Sequence, residues 1–352
     1  MYVEGIILDC LYKIKINRSI YGIYHLLTGK KSIQSVHDAR IFQLEKYYGV
    51  HLTLTREHFM HIIDGMVKDG VLTEGDNELY FVTDAGKNRL AVFQSTTIYK
   101  YLNGLSFSAM ERHFRDRLYL LVQTYSNILV NNYSFIPVID SQEITKWVKD
   151  FYRRHYQSNT PDRLYLELHQ LLSSLPKKEA DIFVDRLSGY QYYGLSMDQL
   201  ALKYKLSKDD ITIYLTGITH ELIKLVGQQK EIYPILSQLM KGFEQQKFIT
   251  NTANQTYQLL QRQFSLEMIG QIRNLKLNTI YDHIVEIALY DSNFQIDYYV
   301  TKQEQEEIID AIQKNNTFKL KTIKESCDSS ISYFQIRLVL ARLKELMPGG
   351  IS

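Results

Sequence analysis

FSLEMIGQIRNLKLNTIYDHIVEIA, the stretch from Phe264 to Ala288, decides how the rest of the chain is read. Its apolar residues Leu266, Ile269 and Ile272 recur three apart, as one face of a short helix requires, and Ser265 stands where a side-chain oxygen caps a first turn. Asn274, Leu275 and Lys276 form a turn. Thr279 then lies in the first turn of a second helix, in which Ile280, Ile284, Ile287 and Ala288 share an inward face. Tyr281, Asp282 and His283 are expected to look outward. Helix, three-residue turn and helix is the spacing of a helix-turn-helix, and its outward residues are what such a unit offers a partner.

The same grammar recurs on both sides. Upstream, Leu164, Leu168, Leu171 and Leu172 make an apolar stripe over Arg163–Leu175, and Pro176 sits where a first-turn proline is tolerated. Gly194 is read as ending a helix. Ser196 caps Met197–Tyr204, and after Lys205-Leu206-Ser207 the hydroxyl of Ser207 caps Asp209–Leu225. Downstream, Thr301 caps a helix through Asn315, followed by Leu320–Cys327, a turn at Asp328-Ser329-Ser330, and Ser332–Leu346. Pro348-Gly349-Gly350 is expected to fray.

At the other end of the chain, helices are expected near Ile6–Leu27, Asp38–Tyr48 and Thr55–Asp69. Val71–Leu72 and Leu79–Val82 read as strands about a Gly75-Asp76-Asn77 turn, and Thr83-Asp84-Ala85-Gly86 opens another helix. Between the modules, residues 99–157 read as long helices, the last of them Glu143–Tyr156. The fold class is therefore mostly α: tandem helix-turn-helix modules with an N-terminal winged-helix unit containing a short β-hairpin. The pattern divides into 1–98 (winged-helix-like), 99–160 (helical connector), 161–245 and 246–352 (helix-turn-helix).

Composition narrows the function. The chain has 352 residues, 45% of them hydrophobic, enough for two or three domains with cores. Lys and Arg total 41 against 39 Asp and Glu, so the whole molecule lacks the positive field of a strongly basic nucleic-acid binder. Any such binding must be local. Only Cys10 and Cys327 are present, which fits a reducing compartment, and the cytoplasm is the expected location. The N-terminus does not read as a signal peptide, and no run of roughly 18 apolar residues predicts a membrane span. The 27 tyrosines could stack on single-stranded bases, although half-filled helical cores are the more frequent use.

The residues from Thr252 to Leu289 resemble the helicase helix-turn-helix family, the accessory domain associated with bacterial RecQ-type helicases. The likeness rests on Thr252 and Thr256, SLEMI at Ser265–Ile269, Arg273, Leu275-Lys276, the TIYDHI of Thr279–Ile284 and the YFQIRLVLARLK of Tyr333–Lys344. Over its length, including YHLLTGKKSIQSVHDARIF, the chain resembles the YpbB proteins of Gram-positive bacteria. Residues 171–226 are similar in spacing to the helix-turn-helix of sigma-factor region four, but Asp209 and Asp210 stand where promoter reading favours neutral or basic residues. The resemblance implies a non-enzymatic adaptor that works with a RecQ-type DNA helicase in repair or recombination, with DNA as a second candidate partner.

Candidate contacts follow. Arg273 and Lys276 could meet phosphates from the turn, while Asn278, Thr279, Tyr281 and His283 stand at or near a helix start, where amides and the dipole favour anions. In the upstream unit Lys208, Asp209, Asp210 and Thr212 form a mixed face that favours a protein partner. In the winged unit Arg56, His58 and His61 would be exposed on the helix capped by Thr55. No cofactor, small-molecule substrate or metal is expected. Thr28-Gly29-Lys30-Lys31-Ser32 lacks the phosphate-loop spacing, His58 and His61 lack further ligands, and no strained nucleophile turn is present. The alternative is a sequence-specific transcription regulator.

Overall fold

Many helix starts in this chain are set by short polar side chains that accept a hydrogen bond from a backbone amide three residues on, as at Ser32, Thr55, Thr83 and Ser207. The computed structural model describes residues 1–14, 18–155, 159–243, 249–291 and 293–346. The first elements are α1 (Tyr2–Ile14), α2 (Ile20–Leu27), α3 (Ile33–Ile41), α4 (Arg56–Lys68), β1 (Leu72–Glu74), β2 (Tyr80–Val82) and α5 (Asp84–Gln94). Next come α6 (Thr97–Tyr101), α7 (Gly104–Ile128), α8 (Gln142–His155), α9 (Thr160–Ser173), α10 (Lys177–Val184), α11 (Met197–Tyr204), α12 (Lys208–Gln228) and α13 (Pro234–Gln238). The remainder are α14 (Asn251–Gln261), α15 (Leu266–Arg273), α16 (Leu277–Tyr290), α17 (Lys302–Asn315), α18 (Leu320–Glu325), α19 (Tyr333–Ala341) and α20 (Leu343–Leu346).

The fold class is as the sequence predicts, mostly α with one antiparallel hairpin in which Leu72 faces Val82 and Glu74 faces Tyr80. Ser196, Ser207, Ser265 and Thr301 cap the helices assigned to them, and the helix expected over Ser332–Leu346 is α19, capped by Ser332, followed by α20. Differences lie in the bounds of some helices. The single helix expected near Ile6–Leu27 is α1 and α2, and Asp38–Tyr48 is interrupted because Gln43 takes a left-handed φ of 53°. Gly194 does not end a helix, since α10 closes at Val184. A Cβ there would lie 2.3 Å from the Arg186 carbonyl oxygen, so a close backbone approach requires glycine. Tyr156 and Pro348-Gly349-Gly350 lie outside the described residues.

The chain divides into two compact units: 1–13, 23–30 and 45–244 form one, and 14–22, 31–44 and 245–352 form the other. The N-terminal hundred residues are thus shared between both. In unit 1, α12 is the central helix, packed by α6, α7, α10, α11 and α13, with Ile211, Tyr214, Leu215, Ile218, Leu222 and Val226 buried on several sides.

In unit 2 the central helix is α16, held by α3, α14, α15 and α19. Its Ile280, Ile284, Val285 and Ala288 meet Ile308, Ile312, Ile323, Ile336 and Val339 in one apolar core. Arg40 of α3 donates to the Leu289 carbonyl at the end of α16 and lies over the Tyr290 ring, complementing the negative end of that helix. Buried Glu286 accepts the backbone N–H of Thr250, the cap of α14, at 2.5 Å.

Candidate functional site

The quoted stretch folds as a helix-turn-helix because each step of it is locally specified. Ser265 Oγ accepts the Met268 amide, Asn274 closes α15 in the left-handed region at φ 50°, and Leu275 N–H returns to the Gly270 carbonyl. Lys276 is then the residue before α16, with no side-chain cap. Lys276, Leu277 and Asn278 are exposed and Thr279 is half-buried, so the start of α16 is open to solvent.

Tertiary packing rearranges the expected contact residues. The guanidinium of Arg273 turns inward: it donates to the Thr252 carbonyl at 2.7 Å, Thr252 Oγ1 at 2.8 Å, Gln255 Oε1 at 2.9 Å and Thr256 Oγ1 at 2.5 Å. His283 is buried rather than outward. Its Nδ1 lies 2.8 Å from Thr256 Oγ1 and 3.3 Å from Arg273, and burial together with that guanidinium lowers its pKa. Arg273 and His283 are therefore brought together as a clamp between α14, α15 and α16.

Tyr281 is also not outward. It stacks on Phe334 of α19 at 4.2 Å between ring centroids, and Asp282 receives the Arg337 guanidinium at 2.6 Å. The reason is that α14 and α19 cover two sides of α16, so residues off the Ile280–Ile284 stripe are covered as well. Ile272, expected inward, is 56% exposed. Residues spaced by three drift about 60° per step on a 100° helix, which puts Ile272 about 120° from Leu266. Met268 and Ile272, one turn apart on α15, and Leu277 at the start of α16 are exposed apolar residues, and Lys276 and Asn278 are exposed as well. The sequence pattern passed over Met268 and Leu277 and placed Ile272 inward; the four-residue spacing of Met268 and Ile272 was the available signal.

The upstream helix-turn-helix, α11 and α12, shares the serine-capped first helix and a left-handed turn residue, Lys205, and differs in that Ser207 also caps its second helix. Its second helix, however, is engaged from the first residue on. Asp210 is buried and accepts the amides of Tyr2 and Val3 at 2.7 and 3.1 Å, so it caps α1. Asp209 accepts His51 Nε2 at 2.9 Å and His58 Nε2 at 2.7 Å, and the hydrogen bond from His51 leads the causes that hold its carboxyl down at about 2. The expected acidic docking face is thereby corrected: both carboxylates are ligated within the unit. Exposed Lys208 pairs with Asp198 at 2.8 Å, and Thr212 donates to the Lys208 carbonyl. Arg56 is exposed at the first position of α4. The structure does not gather Arg56, Lys208 and Thr212 with Arg273 and Lys276, which belong to the other unit.

Among the described residues no group of three or more His, Cys, Asp or Glu is placed to hold a metal ion, and no helix is long and apolar enough to cross a membrane. Helix, left-handed turn and a second helix with an open start define a helix-turn-helix protein, and residues 252–340 match the family model described as a helix-turn-helix domain. The chain is 30% identical over 344 residues to Protein YpbB of Bacillus subtilis (strain 168), covering 97% of each. It belongs to the YpbB family. No solved structure matches it.

Proposed function

We propose that this protein is a non-enzymatic adaptor that docks on a RecQ-type DNA helicase through the α15–α16 face, in the reducing cytoplasm that its two free thiols suit. The observation that carries this reading is the exposure of the apolar Met268, Ile272 and Leu277 on α15 and α16 while Arg273, His283 and Asp282 are occupied inside unit 2. Exposed apolar side chains suit a protein partner better than a phosphate backbone, which needs several cations. The motor activity belongs to the partner. The test is biolayer interferometry between the purified chain and the RecQ-type helicase of the same cell. Ile272→Asp with Met268→Asp weakens capture at least about tenfold, the loss of roughly 1.4 kcal/mol of apolar contact. A chain that neither binds the helicase nor changes its unwinding rate ends the proposal.

Direct DNA contact is the second reading, favoured by exposed Lys276 and Asn278 at the start of α16, where backbone amides and the helix dipole suit a phosphate. In that case Lys276→Glu, and not Ile272→Asp, abolishes binding to duplex DNA. A strong preference for one duplex among unrelated sequences would point instead to a transcription regulator.

A further inference from the structure

At one end of unit 1, a group of aromatic side chains projects into solvent from rigid backbone. α7 and α8 run parallel: Arg117 lies over the Trp147 ring at 4.7 Å, and eight residues further along α7 Tyr125 meets Tyr152 at 6.2 Å. Their C-terminal ends are therefore side by side. The next residue of α7, Ser126, accepts the Tyr190 amide at 2.8 Å, which brings the turn between α10 and α11 to the same tip.

That turn is pinned at every step. Gly189 and Tyr192 exchange backbone hydrogen bonds at 2.9 and 3.2 Å, Gln191 adopts a left-handed φ of 59°, and Ser188 Oγ accepts the Gly194 amide at 3.0 Å. A Cβ on Gly189 would meet Ser126 Oγ at 2.7 Å, so the close approach needs glycine. Held this way, Tyr192 and Tyr193 are 80% and 89% exposed. The loop leaving α7 adds Tyr133 at 68%, and Gln123 clamps that loop through the Ile136 carbonyl and the Val138 amide at 3.0 and 2.8 Å. Rings this exposed do not serve the core, and their rigid mounting lowers the entropy lost on binding.

Charge selects the occupant. The outer face of α8 carries exposed Lys146, Lys149 and Arg153 at successive turns, with Arg154 beside them; among these Arg153 pairs with Asp150 at 3.6 Å. A second copy meeting this tip about a two-fold axis would bring those cations against themselves. An anionic chain with flat apolar groups is complementary to both features. We propose that the tip of unit 1 binds single-stranded nucleic acid, with bases stacking on Tyr133, Tyr190, Tyr192 and Tyr193 and phosphates meeting Lys149, Arg153 and Arg154. The site lies in a different unit from the face assigned to the helicase and is independent of that assignment.

Fluorescence anisotropy of the full chain with labelled oligothymidine of roughly 20 nucleotides, at about 50 mM salt, reads this directly. Tyr192→Ala and Tyr193→Ala each weaken binding about tenfold, and Phe at both positions keeps it within about twofold, because stacking and not the hydroxyl is required. Lys149→Glu with Arg153→Glu weakens binding and flattens its dependence on salt. Both tyrosines are nearly solvated, so circular dichroism stays unchanged. Equal binding by the alanine variants, tighter binding to duplex of the same length, or a self-association that the alanine variants abolish would overturn the proposal, the last by showing that a second copy covers the tip.

Discussion

The two helix-turn-helix modules, α11–α12 and α15–α16, are near twins in local design and opposites in use. Each has a serine-capped first helix, a left-handed residue in the turn, and a second helix that becomes the central element of its unit. In α12 the first turn is consumed by ligands from elsewhere in unit 1: Asp210 caps α1, and Asp209 is held between His51 and His58. In α16 the first turn stays open. A helix-turn-helix spacing is therefore evidence of a way to pack helices, and it becomes evidence of a binding surface only when the start of the second helix is left uncovered.

The comparison can be broken most forcefully at Asp210. Asp210→Ala removes the acceptor of the Tyr2 and Val3 amides and leaves buried donors unsatisfied. It is expected to cost about 3 kcal/mol, read from the urea unfolding midpoint. An unchanged midpoint would mean that the start of α12 is not structurally engaged. In unit 2 the corresponding weight falls on Arg273: Arg273→Ala loses the bonds to Thr252, Gln255 and Thr256 and costs about 2 kcal/mol, since the group is partly solvated, whereas Lys276→Ala stays within about 0.5 kcal/mol. Equal effects would erase the distinction between the inward and outward cations.

Acid sharpens the parallel between the units. His220 in α12 and His37 in α3 are each buried, and burial lowers both to about 3. The unfolded chain protonates these histidines near pH 6.5 while the folded chain does not, so stability is complete above that pH and falls as pH drops from about 6.5 toward about 3. The slope approaches about 1.4 kcal/mol per pH unit for each histidine, an upper limit, and His220→Gln removes its share. Urea titrations between pH 7 and 4, as a bracket of roughly that window, check it. A flat profile would show that both rings are protonated in the fold. The smallest effect is expected at the open face, where Ile272→Asp changes stability by no more than about 0.5 kcal/mol in the same assay.

Much of the fold was legible because its signals are local. A cap acts over three residues, and so Ser196, Ser207, Ser265, Thr301 and Ser332 mark helix starts without knowledge of the rest of the chain. The hairpin was legible for the same reason, although β1 and β2 are displaced by a residue or two from the predicted strands. The facing of α16 was less so. Its inward stripe follows from periodicity, but His283 and Tyr281 are covered by α14 and α19, which no spacing within the stretch foretells.

Short-range sequence alone determined where helices start, how the turns bend and that a hairpin follows α4, since those choices are made by bonds within three or four residues. Tertiary structure alone decided which helix-turn-helix is open and which is closed. The groups that occupy the start of α12 come from 151 to 208 residues away in the chain, and hydrogen bonds over that separation exist only once the core has assembled.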